Sequence, residues 1–130
     1  HQKGQEAEKK HIQLKVDFAY PSNLLIDIYD IAVILNNALE NAIEACRECG
    51  FPCVISVTAS TMHGYFVITV KNPTVNKNTF YDIPLTTKKD KNSHGIGLLN
   101  IKDTAERNEG KLSVKCENQI FEMSVTFKTE

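Results

Sequence analysis

Residues 27–50 read DIYDIAVILNNALENAIEACRECG, and the reading of this stretch decides the fold. Asp27 with Asp30 resembles a capping pair at a helix start, and Gly50 stands where a helix would stop. At 100° per residue Ile28, Ile31, Leu35, Leu39, Ala42 and Cys46 gather on one side. The segment therefore predicts a long helix, running to about Glu48, with that side turned to a core. The polar side carries Asn37, Asn41 and Glu44 at i, i+4 and i+7. Asn costs roughly 0.5 kcal/mol or more against Ala inside a helix, yet Asn36, Asn37 and Asn41 all lie mid-helix. Glu or Lys would serve a solvated face better, so the repeated breach of a local rule points to function, with a merely solvated face as the plain alternative. The side-chain carbonyl of Asn41 is a hard oxygen ligand of the kind Mg2+ accepts beside waters and substrate phosphates.

Working outward, Ile12, Leu14 and Val16 alternate with Gln13 and Lys15 in the two-residue period of a half-buried strand, and Pro21 and Ser22 mark a turn. Residues 1–10 are almost wholly polar and read as the remnant of a linker, which leaves 11–130 as one domain. Downstream, Val54–Ser60 and Tyr65–Lys71 are β-branched and aromatic runs joined through His63 and Gly64, the pattern of a hairpin. After Asn72 and Pro73 regular patterning lapses until about Gly95, a length that marks a functional lid or disorder. Leu98, Ile101 and Ala105 then predict a helix from Gly97 to about Asn108, with Gly110 at the stop position. Lys111–Cys116 and the alternating Phe121, Met123, Val125 and Phe127 close the chain as two strands. No internal repeat is present. This order predicts an α+β fold, a two-layer α/β sandwich whose mixed, mostly antiparallel sheet carries helices on one face.

Composition narrows the function. The 130 residues are 42% hydrophobic and 24% charged, as in an ordinary globular domain. Fifteen basic and 16 acidic side chains leave a net charge of -1, which offers no general attraction to nucleic acid or anionic lipid. The longest apolar run, Ile31–Leu35, is far shorter than the roughly 20 residues that span a bilayer. Nothing at the N-terminus reads as a signal peptide, and a soluble piece is expected. Cys46, Cys49 and Cys53 form a C-x2-C-x3-C pattern that invites a metal or redox reading. No second Cys pair or His pair completes a zinc site, so the expectation is reduced, metal-free, core-facing thiols, which suits a cytoplasmic location.

The second constellation is Ser93-His94-Gly95-Ile96-Gly97-Leu98 at the expected mouth of the later helix. Glycines there would let the backbone approach a phosphate, and free N–H groups with the helix dipole would favour an anion; two glycines ending a loop is the alternative. It is not a Walker A motif, because Gly110-Lys111 is followed by Leu112, and it is not a Rossmann turn, because no strand precedes it. Lys88, Lys89 and Lys91 either neutralise phosphate charge or keep the connection soluble.

Together, Asn37-Ala-Leu-Glu-Asn41-Ala-Ile-Glu-Ala45 and His94-Gly-Ile-Gly-Leu98 resemble the N box and G2 box of the GHKL, or Bergerat-fold, ATPases. The chain looks most like the catalytic ATP-binding domain of a bacterial sensor histidine kinase, of the peptide-pheromone quorum-sensing subgroup, from about Lys10 to Lys128. The resemblance implies ATP and Mg2+ as cofactors, with Asn37 and Asn41 as the catalytic positions and Asn41 the metal ligand. It further implies an ATP site made of Asn41, Glu44, Asn72, Thr87, Lys88, His94, Gly95, Ile96, Gly97 and Leu98. Asn72-Pro73-Thr74 replaces the usual Asp-x-Gly, so Asn72 stands in for the carboxylate that meets adenine, and Glu44 occupies the place of a common Lys. The implied partners are a dimerisation domain bearing the phosphoacceptor histidine and a response regulator, with no nucleic acid and no direct membrane contact. The implied location is the cytoplasmic part of a membrane-anchored sensor. A non-catalytic ATP-fold scaffold and a cysteine metal-binding module are the alternatives.

Overall fold

The computed structural model describes residues 11–22, 24–50, 52–81 and 91–129, with no side-chain detail for 91–96. Its elements run β1 (Ile12–Phe18), α1 (Ile28–Cys49), β2 (Cys53–Met62), β3 (Tyr65–Pro73), β4 (Phe80–Tyr81), α2 (Lys91–Arg107), β5 (Lys111–Glu117) and β6 (Ile120–Lys128). The six strands form one sheet in the order β1-β2-β3-β6-β5-β4. Only β1 and β2 are parallel, joined through α1; the other neighbours are antiparallel. The expected mixed, mostly antiparallel two-layer sandwich is the fold observed.

One pleat face of the sheet is apolar. The row Val16, Val57, Val70, Met123 and Val114 crosses five strands in register. Its inner four members are buried, but Val16 is 59% exposed. The reason is coverage: α1 lies on β2 and β3 and α2 on β5 and β6, so the edge strand β1 projects past both helices. Phe18 and Tyr20 tie its far end to the core through edge-on contacts with Phe66, at 6.2 and 5.5 Å between ring centres.

Helix α1 begins as expected, with Asp27 accepting the Tyr29 N–H at 2.9 Å. Its buried residues are Ile31, Ile34, Ala38, Ala42, Ile43 and Cys46. The apolar stripe is thus rotated from the expected one, with Leu35 and Leu39 half-buried and Ile28 exposed. A helix that packs on a sheet and on a second helix buries a wider arc than the sheet alone would require, and here α2 supplies the second surface.

Two local readings are corrected. The cysteines are not all reduced, since Cys46 and Cys53 are joined in a disulfide. The last turn of α1 and the first residue of β2 meet across a tight return that brings their Cα atoms to 6.0 Å, within bridging range. Cys49 is exposed and not core-facing, while Cys116 is buried. The expectation of a cytoplasmic location therefore loses its support from reduced thiols. At the end of α2 the left-handed residue is Glu109, with φ of 61°, and not Gly110. Gly110 N–H bonds Ala105 O at 2.7 Å and Glu109 N–H bonds Glu106 O at 3.0 Å, the paired bonds of a Schellman end. Gly110 is required for a different reason, because a Cβ there would lie 2.5 Å from Cδ1 of the Phe127 ring.

These two neighbours should respond oppositely to substitution. Glu109→Gly relieves left-handed backbone strain and is expected to raise stability by about 1 kcal/mol. Gly110→Ala forces a methyl into Phe127 and is expected to lower stability by about 1–3 kcal/mol. Thermal unfolding followed by circular dichroism checks both signs.

Candidate functional site

The two helices run antiparallel against each other. Asp30, in the first turn of α1, accepts from Asn108 Nδ2 at 3.0 Å and lies 3.6 Å from the Arg107 guanidinium, both at the far end of α2. The Asn108 amide also donates to Thr104 O at 2.9 Å, so the anchor is itself held. Further along α1, Asn37 meets Gly97. A Cβ built on Gly97 would stand 3.5 Å from Asn37 Oδ1 and 3.7 Å from Asn37 O, ordinary contact distances. The two sequence motifs, far apart in the chain, therefore face each other across one helix–helix seam. Sequence reading gave no sign of the Asp30–Asn108 contact, since polar residues at helix ends carry no pairing signal at this separation.

Asn37 and Asn41 lie on the flank of α1 turned to α2 and are half-buried. Asn37 Nδ2 donates to Val33 O at 2.8 Å, which leaves its Oδ1 toward Gly97. Asn41 makes no side-chain hydrogen bond among the described residues, so its amide oxygen is available to a ligand. Because the helices are antiparallel and each advances about 1.5 Å per residue, Asn41 stands beside the first turns of α2. Glu44 points to solvent and pairs with Arg47 at 2.8 Å, a surface ion pair that offsets its charge. Arg47 is a cation on this helix that the sequence reading passed over.

The glycine segment sits differently from its expected place. α2 begins at Lys91, so Gly95 and Gly97 lie inside the helix and not at its mouth. Glycine disfavours a helix by only about 1 kcal/mol, and the packed residues that follow, Leu98, Ile101 and Ala105, outweigh that. The N–H groups of the helix start, which have no acceptor within the helix, therefore belong to Lys91, Asn92 and Ser93. Gly97 faces Asn37 from within the helix, several residues past its free end. Leu98 is fully buried, so its side chain belongs to the core and only its backbone can face a ligand. The backbones of His94 and Ile96 are helical. Thr87 and Lys88, like Lys89 and the 1–10 linker segment, lie outside the described residues.

Asn72 continues the core-facing alternation of Phe66, Ile68 and Val70 on β3 and is 3% exposed. A polar group so buried must be hydrogen-bonded, and Nδ2 donates to Pro73 O at 2.9 Å. That carbonyl can only accept, which fixes the amide orientation and leaves Oδ1 as the acceptor at the strand end. An amide oxygen can take one hydrogen bond from an exocyclic amine, as a carboxylate would, without its charge.

These residues fit a magnesium nucleotide by donor chemistry: an amide oxygen on Asn41 with no partner among the described residues, the amide oxygen of Asn72 and the backbone N–H groups that open α2.

Comparison with known proteins agrees with this architecture. No curated protein matches the chain significantly. Among solved structures, the nucleotide-free catalytic domain of histidine kinase ThkA is similar over 97% of this chain and 85% of its own, at 19% identity and a TM-score of 0.73. The Acinetobacter baumannii histidine kinase AdeS is similar over 98% of this chain and 59% of its own, at 10% identity and a TM-score of 0.71. The blue-light activated histidine kinase of Erythrobacter litoralis is similar over 98% and 39%, at 13% identity and a TM-score of 0.69. These likenesses are of fold. The GHKL domain family matches residues 26–128, from just before α1 to the end of β6, and the chain belongs to that family.

Proposed function

We propose that this chain is the Mg-ATP-binding catalytic domain of a two-component sensor histidine kinase, donating the γ-phosphate to a histidine on a separate dimerisation domain. The observation that carries the reading is the meeting of Asn37 with Gly97, which unites the N-box and G2-box motifs in one seam beside the uncommitted Asn41. In this reading residues 11–130 form the domain and 1–10 the remnant of the linker to the dimerisation domain, with a response regulator downstream. The Asn-Ala-Ile-Glu-Ala and Thr-Thr-Lys wording supports the peptide-pheromone quorum-sensing subgroup, and the location follows as the cytoplasmic side of an anchored sensor.

Asn41 would hold the metal through its amide oxygen, Asn72 would accept from the adenine amine, and the backbone donors at the start of α2 would take phosphate oxygens. Thr87 and Lys88 are the proposed lid contacts, and the backbone of 94–98 lines the triphosphate. Bound Mg2+ supplies charge neutralisation on the phosphates. Asn37 itself is no general base: its Nδ2 is spent on Val33 O, and an amide oxygen is too weakly basic to take a proton from water. A histidine delivered by a partner is already a competent nucleophile near neutral pH and needs alignment only.

Four outcomes are expected. Millimolar Mg-ADP should raise the melting temperature of the domain, since a ligand bound only by the native state stabilises it by mass action. Asn41→Ala should remove the Mg2+-dependent part of that shift while leaving the unliganded protein at least as stable, because Ala is the better helix former. No shift in the wild type would favour the non-catalytic scaffold. For Gly97, Ala should fold and still bind, as its methyl meets Asn37 at contact distance. Val adds two methyls directed at the seam and should abolish nucleotide binding measured by calorimetry, with only a modest loss in melting temperature. Finally, the isolated domain should hydrolyse ATP very slowly and should phosphorylate a histidine only when the dimerisation domain is supplied in cis or in trans. Radiolabelled ATP separates these, and fast hydrolysis lost in Asn41→Ala would identify an ATPase instead.

A further inference from the structure

Three cysteines cluster where α1 ends and β2 begins. Cys46 and Cys53 are joined, and they are 0% and 5% exposed. In the folded domain both sulfurs are almost wholly withdrawn from a small-molecule oxidant. Cys49, by contrast, is exposed, is the last residue of α1, and follows Cys46 by three positions on the same helix. Residues so spaced are neighbours on a helix surface, with Cβ atoms about 5–6 Å apart, and the terminal turn before Gly50 can fray enough to close the remaining gap.

We infer that Cys49 is the receiving thiol of a three-cysteine relay that carries oxidising equivalents from a low-molecular-weight disulfide to the buried Cys46–Cys53 pair. The Cys49 thiolate attacks the external disulfide, forming a mixed disulfide and releasing one thiol. Cys46 attacks the Cys49 sulfur, forming Cys46–Cys49 and releasing the second thiol. Cys53 then attacks the Cys46 sulfur, forming the bond observed here and returning Cys49 as a thiol. The net change is two protein thiols oxidised to one disulfide and one external disulfide reduced to two thiols. Burial of the finished Cys46–Cys53 bond shields it from reverse attack, so the pair persists; partial desolvation and the Glu48 carboxylate raise the Cys49 thiol, so the first exchange quickens as pH rises. The product ties the end of the helix bearing Asn37 and Asn41 to the strand that follows. In a compartment that keeps thiols reduced, a disulfide of this kind is transient and redox-sensing, not permanent.

The test uses the reduced, folded chain, oxidised glutathione as probe, and acid quenching with mass mapping of disulfides. Labelling of the buried Cys116 under native conditions serves as the gauge of global opening. Wild type should form Cys46–Cys53 without retained glutathione. Cys53→Ser should accumulate Cys46–Cys49. Cys49→Ser should form Cys46–Cys53 about tenfold or more slowly, with Cys116 as protected as in wild type, because an intramolecular relay has been lost. Oxidation of Cys49→Ser at the wild-type rate overturns the relay, as does absence of Cys46–Cys49 in Cys53→Ser. A slower rate accompanied by faster Cys116 labelling also counts against it, since Cys49 would then be acting on the fold.

Discussion

The burial of α1 against two surfaces at once is the constraint on which the rest depends. Ile31, Ile34, Ala38, Ala42, Ile43 and Cys46 are almost wholly removed from solvent. Each isoleucine contributes on the order of 1.5–3 kcal/mol by burial, so the helix cannot roll about its axis without exposing several of them together. Ala38 and Ala42 set how closely the helix lies, because neither has a side chain beyond Cβ. Once that orientation is set, the flank carrying Asn37 and Asn41 must face α2, and the seam described above is a consequence of core packing and not of polar attraction.

The second helix is held in register by polar contacts at one end. Asp30 gathers Asn108 and Arg107 at the C-terminal end of α2. Towards the other end Gly97 faces Asn37, where a methyl would stand at ordinary contact distance. Hydrogen bonds to a charged group are worth about 1.5–3 kcal/mol at most and less when partly solvated, so Asp30 steers the pairing more than it drives it. The driving term is Leu98, Ile101 and Ala105 beneath the helix, all fully buried.

Asn72 is where the sheet departs from its own apolar pattern. It stands on the apolar face of β3 opposite Phe121, at a position where the alternation calls for a hydrophobe. A buried amide there is tolerated because Pro73 O accepts a hydrogen bond from its Nδ2, next to the last residue of the strand. A local rule broken at one end of a regular strand places a polar group on a rigid element, as the proposed adenine contact requires.

The helix of residues 28–49, the hairpin, the closing strand pair and the mixed sheet were legible in sequence, because periods of 3.6 and 2 report local geometry directly. The asparagines of α1 were legible for the opposite reason: they contradict local propensity, and the motif they share with the glycine segment is specific. Tertiary structure alone decided what depends on neighbours remote in the chain. Coverage by the helices decided that Val16 faces solvent although its pleat is apolar. The second packing surface rotated the buried arc of α1 from Ile28, Leu35 and Leu39 toward Ile34, Ala38 and Ile43. Packing of Leu98, Ile101 and Ala105 drew the start of α2 back to Lys91, placing both glycines inside it. Proximity across the α1–β2 return joined Cys46 to Cys53, and the ring of Phe127 made Gly110 obligatory. A sequence specifies which faces want burial, whereas which partner buries them, and what is left at the rim, is settled only when the layers close on one another.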